Sequence, residues 1–71
     1  MDEAQRRRLI LDYIAQHPRC HVREVIAEVK PMMSTKAALR CIHLLEAEGA
    51  ITVDVQTVHH NFRVHILEVA P

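Results

Sequence analysis

Apolar residues in the first two thirds of the chain recur at intervals of three and four, the spacing of one face of an α-helix. Three segments show this pattern, at about residues 3–16, 22–30 and 35–48. Polar residues fill the other positions, so each segment predicts an amphipathic helix with one buried face. After residue 49 the apolar period changes to two, which predicts β-strands.

The first two helices have recognisable ends. Asp2 and Gln5 predict a capping box, in which each side chain accepts a hydrogen bond from the backbone N–H of the other residue. Pro18 and Pro31 predict where the two helices stop, because the residue before a proline avoids helical geometry. The short segment between the helices, "RCH", predicts a connector or a short strand near Cys20.

The third predicted helix has a start signal and a stop signal. Ser34 predicts the N-cap, since its hydroxyl can accept a backbone N–H of the first turn. Gly49, the only glycine in the chain, predicts the stop because glycine adopts the left-handed conformation that ends helices. At 100° per residue, one face of this helix is apolar and predicted to be buried; it carries Ala38, Cys41, Ile42 and Leu45.

The opposite face of the third helix is basic at its start. Lys36, Arg40 and His43 lie there, and no carboxylate precedes Glu46. This face can be an ordinary solvated surface or a binding surface, and the sequence alone leaves both open.

Two alternating runs predict a β-hairpin at about residues 50–69. The first run places Ile51, Val53 and Val55 on one face, and the second places Phe62, Val64 and Ile66 on one face. The polar segment "TVHHN", residues 57–61, predicts a longish connecting loop. The shifted parity of residues 67 and 69 predicts either a bulge near the end of the second strand or an end that packs differently.

The stretch "MSTKAALRCIHLLEAEGAI", residues 33–51, resembles the recognition helix of winged helix-turn-helix domains in bacterial-type transcriptional regulators. Among these regulators it is similar to the GntR type, whose recognition helices follow the pattern "VS…AL..LEAEGLI". The resemblance implies one α+β domain over residues 1–71, with three helices followed by a two-stranded antiparallel β-hairpin wing. The chain departs from the pattern at Met32, where a glycine is usual, and at Cys20-His21, where a serine or threonine cap is usual.

The resemblance implies sequence-specific binding of double-stranded DNA by a transcriptional regulator. Helix 3 would enter the major groove, and the wing would lie along the backbone or the minor groove. The implied contact residues on helix 3 are Ser34, Thr35, Lys36, Ala37, Arg40 and His43. Those on the wing are His59, His60, Asn61 and Arg63. A homodimer on a palindromic site is also expected, with helix 1 or the edge of the C-terminal "ILEVAP" segment as candidate interfaces.

Charge balance keeps a second function open. The chain has nine Lys and Arg residues and nine Asp and Glu residues. This balance argues against a protein that binds polyanions without sequence preference, but it allows a local basic face. The alternative is a winged helix that binds a protein partner and no DNA. The large apolar residues predicted to be exposed motivate it: Met32, Met33, Leu39 and Leu44.

Other chemistry finds little support in the sequence. His17, Cys20, His21, Cys41 and His43 suggest a metal site, but no Cys-x-x-Cys pair exists, and we predict no metal and no cofactor. One glycine leaves no phosphate-binding loop and no nucleophile lies at a recognisable spacing from a base, so we do not expect an enzyme. The wing histidines could titrate as a pH switch but are more simply polar tip residues. Two cysteines, no leader-like segment and no membrane-length apolar stretch predict a cytoplasmic protein.

Overall fold

The computed structural model describes residues 1–71 and shows an α+β fold of three helices and one antiparallel three-stranded sheet. The helices are α1 (Glu3–Gln16), α2 (Val22–Val29) and α3 (Thr35–Ala47). The strands are β1 (Cys20–His21), β2 (Ile51–His59) and β3 (Phe62–Val69). This layout is compatible with a winged helix, and the short strand expected near Cys20 is present as β1. No helix is long and apolar enough to cross a bilayer.

Local hydrogen bonds define where the helices begin. The capping box of α1 is confirmed: Gln5 N–H donates to Asp2 Oδ1 at 2.8 Å, and Asp2 N–H donates to Gln5 Oε1 at 3.0 Å. At α2, His21 N–H donates to Glu24 Oε2 at 2.6 Å. Helix α2 therefore begins without the usual serine or threonine because a glutamate one turn later binds the N-cap backbone.

Both predicted ends of α3 are confirmed. Ala37 N–H donates to Ser34 Oγ at 3.1 Å, so Ser34 is the N-cap. At the other end Gly49 has φ +79° and its N–H donates to the Glu46 carbonyl, while Ala50 N–H donates to the Leu45 carbonyl. These two bonds form a Schellman motif, which satisfies carbonyls that the helix itself leaves free.

Gly49→Ala is expected to lower the free energy of unfolding by about 1 kcal/mol. A Cβ at this position would meet no atom within 4 Å, so the cost comes from the positive φ and not from a clash. Gly49→Asn should lose less, since asparagine tolerates the left-handed region better than alanine does. Urea denaturation of the two variants checks this, and an alanine variant as stable as wild type would contradict it.

The hydrophobic core lies between the three helices and one face of the sheet. Its buried cluster contains the whole apolar face predicted for α3, together with residues from every other element. The twelve members are Ile10, Ile14, Cys20, Val25, Val29, Met33, Ala38, Cys41, Ile42, Leu45, Ile51 and Leu67. Met33 is only 8% exposed, so the prediction that it is exposed was wrong, and Leu44 is half-buried.

Strand β3 is the middle strand of the sheet, with order β1-β3-β2. Leu67 pairs with Cys20 on β1 and with Val53 on β2. Side chains that pair directly lie on the same face, so Leu67 joins the core and its neighbour Ile66 points to the other face. Ile66 is nevertheless buried, at 8% exposed, whereas Phe62 is 47% exposed. The apolar face predicted for the second strand is therefore buried at Ile66 and was wrong at Phe62.

The hairpin is longer and its turn tighter than predicted. Strand β2 continues through His59, and only His60 and Asn61 form the turn, so a loop over residues 57–61 was wrong. The irregularity in register lies between Thr57, which pairs with Arg63, and His59, which pairs with residue 62. The bulge is therefore near the tip and not near residue 67. At residue 67 the alternative expectation applies, an end that packs differently, since Leu67 belongs to the core cluster.

Candidate nucleic-acid interface

The amino-terminal half of α3 exposes a basic surface. Thr35, Lys36 and Arg40 are exposed, whereas Ala37 is partly buried against the core. The first turn of a helix also carries free backbone N–H groups and the positive end of the helix dipole, which favour anions. The Ser34 hydroxyl already accepts the capping hydrogen bond, and its own hydrogen can still be donated outward.

Helix α1 adds an arginine to this surface. Arg6 lines a cleft of about 290 Å³ together with Lys36 and Arg40, and Ser34 forms part of the same cleft. Glu3 also lines this cleft and is the one acidic residue among its lining side chains. Three cations from two helices therefore surround one cleft, although the formal net charge of the whole chain is zero.

The three consecutive arginines of α1 point in different directions, as the 100° rotation per helical residue requires. Arg6 faces the start of α3, whereas Arg7 forms an ion pair with Glu48 just beyond the end of α3. Arg8 is exposed and lines a separate cleft beside Asp12. The run of three arginines in the sequence does not by itself show that Arg6 lies near Lys36 and Arg40.

His43 lies in a different groove from the two other predicted base-contacting residues of α3. It is exposed and lines a groove between α3 and β2 with Leu39, Val53, Val55 and His65. This groove holds about 290 Å³ and is mainly apolar. The structure thus brings Lys36 and Arg40 together on the α1 side of α3 and places His43 on the strand side.

The wing residues divide between the tip and the side of the hairpin. His59, His60 and Asn61 are all exposed at the tip, where they carry the hydrogen-bond donors that the resemblance requires. Arg63 lies on the side of the hairpin, in a cleft of about 250 Å³ between β3 and the start of α2. It shares that cleft with Arg23, so its positive charge is beside α2 and not beside α3.

Arg23 was not identified from the sequence. Its guanidinium carbon lies 5.8 Å from the centre of the Phe62 ring, within the range of a cation–π contact. Its position depends on β1, which aligns the start of α2 with β3. A spacing of almost forty residues between Arg23 and Phe62 offers no local signal for this contact.

Neither cysteine provides reactive chemistry. Cys20 and Cys41 are buried free thiols. Burial raises the pKa of both thiols; Glu24 raises that of Cys20 further, and Glu3 raises that of Cys41, where nearby arginines act in the opposite direction. Both sulfurs are therefore protonated at neutral pH, and a thiol is a much weaker nucleophile and metal ligand than a thiolate.

The residues considered as metal ligands do not converge. His17 stacks on Tyr13, with ring centres 4.1 Å apart, and its Nδ1 lies 3.0 Å from the Tyr13 carbonyl oxygen. Nowhere in residues 1–71 do three His, Cys, Asp or Glu side chains form a group that could hold a metal ion. His17 is instead part of the end of α1, where its backbone N–H also donates to the carbonyls of Tyr13 and Ile14.

Comparison with protein-family models, curated proteins and solved structures finds no match for this chain.

Proposed function

We propose that the protein binds double-stranded DNA in a sequence-specific manner and acts as a small transcriptional regulator of the winged helix-turn-helix type. The observation that carries this proposal is the basic cleft lined by Arg6, Lys36 and Arg40 at the capped start of α3. A helix start with free N–H groups and three cations suits a phosphate group. Arg40 is exposed one turn further along α3, and under this proposal it is the residue that contacts a base edge in the major groove.

The neutral net charge is consistent with specific rather than general DNA binding. Nonspecific affinity depends on the number of phosphates that the protein neutralises. A chain with as many acids as bases must concentrate its cations locally to bind DNA at all. The cleft lined by Arg6, Lys36 and Arg40, called the α1–α3 cleft below, is such a local concentration of cations. Specificity would then come from side chains at the groove, where an arginine can donate two hydrogen bonds to guanine.

Selection of bound duplexes from a random pool tests the proposal. We expect enrichment of one short sequence, and affinity for it should fall steeply with salt, because each phosphate contact releases counterions from the DNA on binding. For a symmetric dimer the enriched sequence should be palindromic. A pool that stays random, together with no salt-sensitive binding, would contradict the proposal.

Arg6→Gln is expected to weaken duplex binding about three- to tenfold and to reduce the slope of log affinity against log salt by about one, the effect of losing one phosphate contact. Arg8→Gln is the matched control, since it removes the same charge from the same helix outside the cleft. Fluorescence anisotropy over a salt series measures both. Equal effects of the two variants would show that Arg6 acts only through net charge.

The alternative, a winged helix that binds a protein partner without DNA, has its own supporting observation. Leu39, Val55, Val58 and Phe62 are between 37% and 54% exposed and lie on α3 and the hairpin. Met33 no longer supports this alternative because it is buried. A stoichiometric protein partner, recovered under conditions where no duplex binds at low salt, would favour the alternative over DNA binding.

A further inference from the structure

Strand β2 leaves one long edge of the sheet open. The strand order β1-β3-β2 pairs β2 with β3 on one side only. Edge strands in natural proteins are usually protected by lysine, proline or a bulge. Residues 51–57 contain no lysine, no proline and only one charge, that of Asp54, and the bulge comes after them.

The hydrogen-bond register shows which backbone groups face this edge. Ala70 N–H donates to the Ala50 carbonyl, so the pair formed by residues 50 and 70 is a hydrogen-bonded one. Hydrogen-bonded and non-hydrogen-bonded pairs alternate in an antiparallel ladder. The register of β2 with β3 therefore directs the N–H and C=O of Thr52, Asp54 and Gln56 toward β3, and those of Val53 and Val55 toward the open edge.

We propose that this edge binds a second copy of the same chain, with the two β2 strands antiparallel about a two-fold axis at Val55. Each Val55 would then exchange both backbone hydrogen bonds with the Val55 of the other copy. Val55 is 50% exposed, and its side chain lines the same apolar groove as Leu39. Pairing would bring the two Val55 side chains together and reduce the exposure of this apolar residue on both copies.

The polar residues of β2 favour this register and this partner. Centring the pair on Val55 places Asp54 directly opposite Gln56 of the other copy. The Gln56 amide already donates to the Asp54 carboxylate at 3.0 Å within one chain, so the same bond can form twice between chains. Centring the pair on Asp54 would instead oppose two carboxylates, which is destabilising. A strand that complements itself about one residue is suited to an identical partner.

The symmetry also has a consequence for α3. Rotation about a two-fold axis normal to the sheet does not turn the sheet over. The helices of both copies, including both copies of α3, therefore lie on the same side of the joined sheet. A dimer on a palindromic duplex shares the two-fold axis of that duplex, and two α3 helices on one side of the sheet are compatible with this symmetry. The pairing itself does not depend on DNA binding, and it replaces the "ILEVAP" edge as a candidate interface, since Ile66 and Leu67 are paired on both sides.

Sedimentation equilibrium of the full chain without DNA tests the pairing. Wild type should dimerise, and Val55→Lys should raise the dissociation constant at least about tenfold because two like charges would face each other. Val55→Pro should do the same while leaving the fold intact, since the lost N–H faces away from β3. Met32→Lys is the control, because Met32 is 46% exposed and lies on no strand.

A cysteine cross-link tests the register directly. The two Val55 Cα atoms of a hydrogen-bonded antiparallel pair would be about 5.5 Å apart, within disulfide range. Val55→Cys should form a linked dimer rapidly under mild oxidation, and Met32→Cys should not. A wild type that stays monomeric, or a dimer unaffected by both Val55→Lys and Val55→Pro, would overturn the pairing and leave DNA binding to be judged separately.

Discussion

The double substitution Lys36→Ala plus Arg40→Ala is expected to weaken binding to the selected duplex by about 2–4 kcal/mol, or roughly 30- to 1,000-fold. An arginine bidentate to guanine contributes about 1–3 kcal/mol of discrimination, and a lysine on phosphate contributes through counterion release. The salt slope should fall by about one to two. Both side chains are exposed, so the fold should be unchanged.

A matched control separates the cleft from net charge. Arg8→Ala plus Arg19→Ala removes the same two charges from exposed positions that do not line the α1–α3 cleft. Its affinity should fall only by the general electrostatic effect, which is small at physiological salt. If the two double variants bind the selected duplex equally well, Lys36 and Arg40 have no specific part in binding.

Leu67→Ala should lower the free energy of unfolding by about 2–5 kcal/mol, more than either Gly49→Ala or Leu39→Ala. Leu67 has no exposed surface and lies on the middle strand between Cys20 and Val53. A domain of 71 residues has a total stability of about 4–11 kcal/mol. The loss is therefore a large fraction of the total, and the midpoint of urea denaturation should fall clearly below that of the wild type.

Leu39→Ala is the matched control for Leu67→Ala. It removes the same atoms from a leucine that is 37% exposed on α3, and it should lower the free energy of unfolding by about 1 kcal/mol or less. Urea denaturation followed by circular dichroism compares the two. Equal losses would contradict the placement of Leu67 in the core and of Leu39 at the surface.

The features predicted well from the sequence are those that depend on neighbouring residues. The bonds between Asp2 and Gln5, the Ser34 cap and the Gly49 stop each involve residues within one turn of a helix. The apolar face of α3 also follows from spacing alone, and all four of its residues are buried. Such features need only helical geometry, which the sequence pattern expresses directly.

The features predicted poorly depend on contacts between distant segments. Ile66 and Leu67 are adjacent apolar residues, and alternation cannot decide which one faces the core. The pairing of Leu67 with Cys20 and Val53 decides it. Met33 was misplaced for the same reason, since it follows Pro31 in a turn where no periodic pattern indicates burial.

The residues of the candidate site also separate into those that local spacing predicts and those that depend on tertiary contacts. Lys36 and Arg40 were predicted to be exposed because they lie opposite a local apolar stripe. Arg6 could not be connected to them, since the approach of α1 to the start of α3 is a tertiary contact. Arg63 was placed correctly on the hairpin, but its position beside Arg23 depends on β1 aligning α2 with β3.

One titration tests sequence-specific DNA binding most directly. The wild-type chain is titrated with the selected duplex and with a scrambled duplex of equal length and composition, both at physiological salt. We expect the selected duplex to bind at least about 1,000-fold more tightly, the usual lower range of specific over nonspecific binding. Equal affinity for the two duplexes, or no binding to either, would contradict the account.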